Sequence, residues 1–142
     1  MAEELDELEI DDLLRRAFAT YRLRIERALG RRRVTTAQYA VLRQMSRRDG
    51  SSSADLAREE RLTPQTMSVV VSNLSRKRAL TRAADPSNAR IRRLHLTAAG
   101  RALASDCADD VRLVARRLAA AIPDGAELVV RAWLKRLADP EL

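Results

Sequence analysis

Residues 63 to 97 read TPQTMSVVVSNLSRKRALTRAADPSNARIRRLHLT, and this stretch encodes a helix followed by a hairpin. Thr63-Pro64 is a helix start: the threonine hydroxyl accepts an orphan amide, and proline occupies the first turn, where its missing N–H is no loss. Met67, Val70, Val71 and Leu74 recur at i, i+3, i+4 and i+7, the spacing of a buried stripe. The opposite face carries Gln65, Thr66, Ser68, Val69, Ser72 and Asn73, and is uncharged until Arg76. A solvated helix face normally carries glutamate and lysine instead. Beyond it, residues 80–84 and 91–96 form two extended segments flanking Asp85-Pro86-Ser87-Asn88, a turn signal, and together they predict a hairpin. Leu94 and Leu96 share one face of the second strand, so Arg93 and His95 point the other way. Arg90, Arg92 and Arg93 stand at or beside the tip.

Outward from this stretch the pattern is helical. Leu14, Phe18, Tyr21, Ile25 and Leu29 define one face of a helix over residues 5–29, with Gly30 as its C′ stop. Thr35 or Thr36 caps a second helix carrying Val41, Leu42 and Met45, closed by Asp49-Gly50, and Ser51 to Ser53 offer a cap for a short third helix with Leu56 and Ala57. After the hairpin, Thr97 caps a long helix with the stripe Leu103, Cys107, Val111, Val114 and Leu118. Pro123 interrupts it. Asp124-x-x-Glu127 then resembles a capping box for a last helix with Val130, Trp133, Leu134 and Leu137 on one side. The order predicts a mainly α (α+β) fold: a helix-turn-helix core with a two-stranded wing, flanked by N- and C-terminal helices.

Charge narrows the function. Seven acids fall within the first twelve residues, and beyond Asp12 27 Lys and Arg face 13 acids, a net of +14. That balance points to a polyanionic partner, nucleic acid before membrane, since no apolar run approaches spanning length. One cysteine and one histidine supply neither a disulfide framework nor a zinc site, so no metal or cofactor is expected. The acidic N-terminus lacks the basic and apolar regions of an export signal, which predicts a cytoplasmic chain. An enzyme is disfavoured by the lack of a phosphate-binding glycine loop and of a nucleophile beside the single histidine.

The layout is that of a winged helix-turn-helix. The major groove of B-DNA admits one α-helix whose N-terminal residues reach base edges, while an adjoining hairpin can drop an arginine into the minor groove. The candidate contacts on the recognition helix are therefore Pro64, Gln65, Thr66, Ser68, Val69, Ser72, Asn73 and Arg76. Gln65 and Asn73 suit adenine; Arg76 and Ser53 suit phosphate. Val69 fits either a thymine methyl contact or an idle surface position. On the wing, Arg90 is placed to reach the backbone or minor groove, with Arg92 and Arg93 nearer the phosphates. A winged helix used for protein contacts, or for DNA binding without sequence preference, has the same composition.

Three segments carry a family resemblance: VTTAQYAVLRQM (34–45), SADLAREERLTPQTMSVVVSNLSRKRALTR (53–82) and DPSNARIRRLHLTAAG (85–100). In this order and spacing they resemble the MarR family of bacterial transcriptional regulators. The resemblance implies a single domain over 1–142, with a winged core at 34–97 and dimerisation helices at 5–29 and 98–139. It also implies double-stranded DNA as partner, a homodimer, and a small aromatic or phenolic effector. Phe18, Tyr21 and Trp133 lie on helices that the family uses around its effector cavity, although core packing or the dimer seam also accounts for them. Cys107 sits in an apolar stripe, where a small hydrophobe serves packing. Three departures stand out: Asn88 replaces the second aspartate of the wing, Arg78 replaces the glycine that ends the recognition helix, and Glu60-Arg61 replaces an apolar-glycine pair in the inter-helix turn.

Overall fold

The computed structural model describes residues 9–141, which form six helices and one two-stranded sheet. In chain order these are α1 (Ile10–Gly30), α2 (Thr36–Arg47), α3 (Ser53–Glu59), α4 (Pro64–Arg76), β1 (Leu80–Ala84), β2 (Arg92–Leu96), α5 (Ala98–Ala119) and α6 (Glu127–Leu137). Residues 5–8 of the expected first helix lie outside the described residues. From Glu9, which has extended backbone and caps the helix, α1 runs as the apolar spacing predicts.

Four helices start where side-chain oxygens satisfy orphan amides. Thr35 and Gln38 form a reciprocal capping box on α2, and Ser52 and Asp55 form another on α3. Thr63 Oγ1 accepts from the Thr66 amide at 3.1 Å, with Pro64 in the first turn of α4. Thr97 Oγ1 accepts from Gly100 at 2.9 Å at the start of α5. The expected box at Asp124 and Glu127 does not form: the cap residue of α6 is Ala126, without a side-chain bond. Gly125, at φ +79°, turns the chain left-handed between Asp124 and the helix, so Asp124 does not reach the N-terminal amides.

Helix ends differ more from expectation. Gly30 is the last residue of α1, and the left-handed residue is Arg33, at φ 56°. The Val34 amide donates to Leu29 O and that of Arg33 to Gly30 O, the paired bonds of a Schellman motif, with Val34 and Leu29 both buried against each other's cluster. The same motif closes α3 around Arg61 (φ 53°) and α4 around Arg78 (φ 57°). The two departures noted in the sequence thus occupy the positions where left-handed backbone is required and glycine is normally used.

The core lies under the winged module. Leu42, Met45, Leu56, Met67, Leu74 and Leu94 are its largest fully buried side chains, and α1 and α5 close it through Leu29, Ala104 and Cys107. Antiparallel β1 and β2 pair from Leu80↔Leu96 to Ala84↔Arg92. Ser51 adds to the free side of β2, since Leu94 donates to Ser51 O at 2.9 Å and Gly50 donates to Leu94 O at 3.0 Å. The wing is therefore bonded to the entry of α3. Burial pushes the Cys107 thiol up, as a packing role requires.

Candidate nucleic-acid interface

α4 buries Met67, Val70, Val71 and Leu74 and turns Gln65, Thr66, Ser68, Val69, Ser72 and Arg76 outward, with Asn73 half-buried. Two of the polar groups are already oriented. Thr63 Oγ1 donates to Thr66 Oγ1 at 2.9 Å, and the Arg76 guanidinium donates to Asn73 Oδ1. The latter bond leaves the Asn73 amide hydrogens as its outward donors. Pro64 stands exposed at the helix start.

Two cavities join this helix start to the wing through the first turn of α3. One is lined by Ser53, Ala54, Arg58, Leu62 and Pro64; the other, of about 550 Å³, by Ser53, Arg58, Arg90, Arg92 and Arg93 among others. Ser53, Arg58, the α4 N-terminus and the wing arginines thus form one continuous concave strip. Arg58 did not enter the sequence reading. Its place as the penultimate residue of a short helix carries no local signal, and only the packing of α3 against the wing brings it there.

The three wing arginines divide into two kinds. Arg90 and Arg92 are exposed and pair with no carboxylate among the described residues. Arg93 turns inward: its Nε donates to Asp85 Oδ2 at 2.6 Å, its Nη1 lies 3.6 Å from Asp55 Oδ2, and its backbone bridges to Ser52. The expectation that Arg93 reaches phosphate meets a side chain already held by two internal carboxylates.

Asp85 organises the turn. It accepts from the Ser87 amide at 2.8 Å, the Ser87 hydroxyl at 2.5 Å, the Asn88 amide at 3.2 Å and Arg93. These bonds, led by the Ser87 hydroxyl and then Arg93, hold its carboxyl far below the usual carboxylate range. Asn88 makes up for its missing charge with hydrogen bonds: its Oδ1 accepts from the Arg90 amide at 3.1 Å and its carbonyl from Ile91 at 3.0 Å. These bonds brace the tip carrying Arg90 without an ion pair at residue 88. At the base of the wing, Asp49 accepts from the Leu96 amide at 3.0 Å and lies 3.1 Å from His95 Nδ1.

Phe18, Tyr21 and Trp133 stand on open surfaces of α1 and α6, and none of them lines the cavities beside the wing. α6 buries none of its residues.

A polar-faced helix, a short supporting helix and an arginine-tipped two-stranded wing define a winged helix-turn-helix protein. The sequence model of the MarR family matches residues 34–91. The HTH-type transcriptional repressor Rv2887 of Mycobacterium tuberculosis is 37% identical over 116 residues, covering 78% of this chain and 84% of that protein. The chain belongs to the MarR family. A crystal structure of Rv2887 in complex with DNA superposes with a TM-score of 0.75 at 30% identity, covering 94% of this chain and 100% of that one. Rv2887 in complex with p-aminosalicylic acid superposes at 0.71 and 32% identity, with 93% and 100% coverage. MepR, a regulator of the Staphylococcus aureus multidrug efflux pump MepA, shares the fold at a TM-score of 0.83 and 20% identity, over 92% and 97% of the two chains. Among the described residues no helix is long and apolar enough to cross a membrane, and no group of three or more His, Cys, Asp or Glu is placed to hold a metal.

Proposed function

We propose that this chain is a homodimeric, sequence-specific transcriptional repressor that binds a pseudo-palindromic duplex and is released by a small aromatic acid or phenol. The single observation that carries the reading is the continuous strip from Pro64 through Ser53 and Arg58 to Arg90 and Arg92. One wall of that strip is a helix face of short uncharged donors and acceptors, suited to base edges; the other is guanidinium, unpaired at Arg90 and Arg92 and bonded to Asp55 at the exposed Arg58, suited to phosphate. In this reading Gln65, Thr66, Ser68, Val69, Ser72 and Asn73 face the major groove and Arg90 the minor groove. Arg76, Arg58, Arg92 and Ser53 hold the backbone, while Arg93 positions the wing. The chain works in the cytoplasm and performs no catalysis.

The dimer is formed by α1, α5 and α6 around the winged core at 34–97. Their apolar side chains Leu14, Phe18, Leu128 and Trp133 lie open in one protomer, and an uncovered surface of that kind marks an interface. The effector class is taken from the likeness to Rv2887, which binds p-aminosalicylic acid. Two recognition helices must meet half-sites about 34–36 Å apart, so a ligand that favours another spacing releases the duplex.

Fluorescence anisotropy at one physiological salt concentration tests the reading, using a duplex selected from genomic fragments and a scrambled duplex of equal length. The expected preference is about a thousandfold or more. Equal affinity for the two duplexes overturns sequence-specific regulation and favours general DNA coating.

A further inference from the structure

α1 and α5 flank a cavity of about 440 Å³ that no wing residue lines. Its walls carry four arginines, Arg24, Arg27 and Arg31 from α1 and its C-cap and Arg117 from α5, over an apolar floor that includes Val114 and Leu118. Some other arginines on or beside these helices have partners, Arg15 with Asp11 and Asp12, Arg22 with Glu26, Arg32 with Asp106 and Asp110, and Arg112 with Asp109, whereas Arg16, Arg101 and Arg116 pair with no carboxylate among the described residues. None of the four cavity arginines pairs with a carboxylate among the described residues. Arg24, Arg27 and Arg31 follow at i, i+3 and i+7, so their charges stack along one face and repel.

The chain segment leaving the cavity makes two further connections. Arg31 lines the wall. Arg32 crosses to α5, with Nη1 3.1 Å from Asp106 Oδ2 and Nε 3.0 Å from Asp110 Oδ2. Arg33, held left-handed by the Schellman bonds, presents its carbonyl to the ammonium of Lys77, which also donates to Gln38 Oε1 at 3.3 Å. Lys77 is the C-cap of α4. Three consecutive arginines therefore touch the cavity, α5 and the end of the recognition helix in turn.

We propose that this cavity binds a small organic anion bearing two acidic groups on an apolar frame, and that residues 31–33 transmit its occupancy through Lys77 to α4. The claim rests on the repressor reading above and names the site and charge of its effector. Guanidinium forks bind carboxylate or phosphate in bidentate pairs, and four of them around one volume are neutralised better by two acidic groups than by one. The Val114–Leu118 floor rewards an apolar body that an inorganic ion lacks. Drawing Arg31 toward such a ligand moves the Arg33 carbonyl and, through Lys77, the C-terminal end of α4. Because both recognition helices must fit their grooves together, a small displacement of each is enough to change affinity.

Isothermal titration calorimetry of the full chain at low salt tests the site with phthalate, benzoate and pyrophosphate. Phthalate is expected to bind saturably and about tenfold or more tighter than either of the others, a difference of about 1.4 kcal/mol. The double variant Arg27→Ala/Arg117→Ala, with folding checked by circular dichroism, loses that binding, Arg27→Lys weakens it by removing one fork, and Arg116→Ala, which removes a charge outside the cavity, retains it. Phthalate binding no tighter than benzoate, pyrophosphate matching phthalate, or binding that survives the double variant each overturns the site. For coupling, saturating phthalate is expected to shift the duplex Kd of the wild type about fivefold or more. In Lys77→Met, compared with its own ligand-free Kd, that shift disappears while phthalate still binds. A variant that responds like the wild type overturns the Lys77 route. Specific duplex binding without phthalate binding sinks this inference and leaves the repressor reading standing; phthalate binding without duplex preference does the reverse.

Discussion

The winged module and the helices flanking it differ in how completely each satisfies itself. Between Val34 and Thr97 only Val69 and Ile91 are large apolar side chains left exposed. On α1, α5 and α6 the exposed ones include Ile10, Leu13, Leu14, Phe18, Leu23, Leu113, Leu128, Val129, Trp133 and Leu134. The first region buries its stripe against itself and keeps polar groups for a partner made of phosphate and base edges. The second withholds its apolar face from its own chain, and the surface it shows suits a second copy. Val69 is the one large apolar side chain that the recognition helix leaves exposed, which under the proposed reading offers a thymine methyl contact.

The largest expected effect breaks the comparison on its open side. Trp133→Asp combined with Leu134→Asp places two charges on a face proposed to be covered in the dimer. Light scattering after size exclusion is expected to show a monomer, and duplex affinity to fall about a hundredfold or more, because each module then binds without its tethered twin. A dimer that survives both charges would move the seam away from α6. Next in size is the join between the regions. A Cβ at Gly100 would lie 2.0 Å from Ala79 O, the carbonyl that accepts from the Thr97 amide at 3.0 Å. Backbone cannot yield as a side chain does, so Gly100→Ala is expected to destabilise by about 3 kcal/mol in chemical denaturation. A loss under about 1 kcal/mol would mean that α5 shifts freely on the module.

Within the module, base-reading and phosphate-holding residues separate by what they cost. Gln65→Ala is expected to lose about 1–3 kcal/mol on the preferred duplex and little on a scrambled one. Arg92→Ala weakens both alike and lowers the slope of log Kd against log salt by about one. A uniform loss from Gln65→Ala would place that side chain off the bases.

How much of this could be read from residues depended on how local each cause was. The capping hydroxyls of Thr63, Thr97 and Thr35 act within three residues, and each is found where its sequence placed it. The Met67–Leu74 stripe and the Leu94–Leu96 face are likewise local periodicities. Arg92 and Arg93 carry the same expectation along the chain, a place near the phosphates. What separates Arg93 is Asp55, thirty-eight positions away, and a carboxyl at Asp85 that the turn already orients. The α1–α5 cavity needs Arg117 to meet Arg24, Arg27 and Arg31, a tertiary fact; only the i, i+3, i+7 spacing of the α1 arginines was visible. Asp124 failed as a cap because one left-handed glycine intervenes, a conformation that a capping pattern does not encode.

A smaller effect follows from Asp85. Its carboxyl has a folded pKa far below the value near 3.9 of an unfolded aspartate, so the bonds it makes favour the folded state at every pH above that unfolded value. As pH falls below about 4 the unfolded chain takes up the proton first, and the contribution declines toward the folded value. The difference in Tm between wild type and Asp85→Asn is therefore expected to be constant above about pH 5 and to narrow below about pH 4. A gap that stays constant to pH 2 would assign the stabilisation to the turn's shape and not to its charge.

The smallest expected change has the opposite sign, and it probes why the module tolerates arginine where glycine is usual. Arg61 and Arg78 hold left-handed backbone at φ 53° and 57°, a conformation that costs a residue with a Cβ about 1–2 kcal/mol. Glycine removes that cost but loses more freedom on folding, about 0.5–1 kcal/mol, so Arg78→Gly and Arg61→Gly are each expected to stabilise by only about 0.5–1 kcal/mol. Both side chains are exposed and pair with no carboxylate among the described residues, so no lost contact offsets the gain. If the strain is retained for a charge, the same variants will weaken both duplexes and lower the salt slope while raising Tm. Arg61 in the turn before α4 and Arg78 just beyond its end would then bracket the recognition helix with phosphate contacts. Stabilisation with unchanged duplex binding would make the two arginines mere substitutions for glycine, and the interface would end at Arg76.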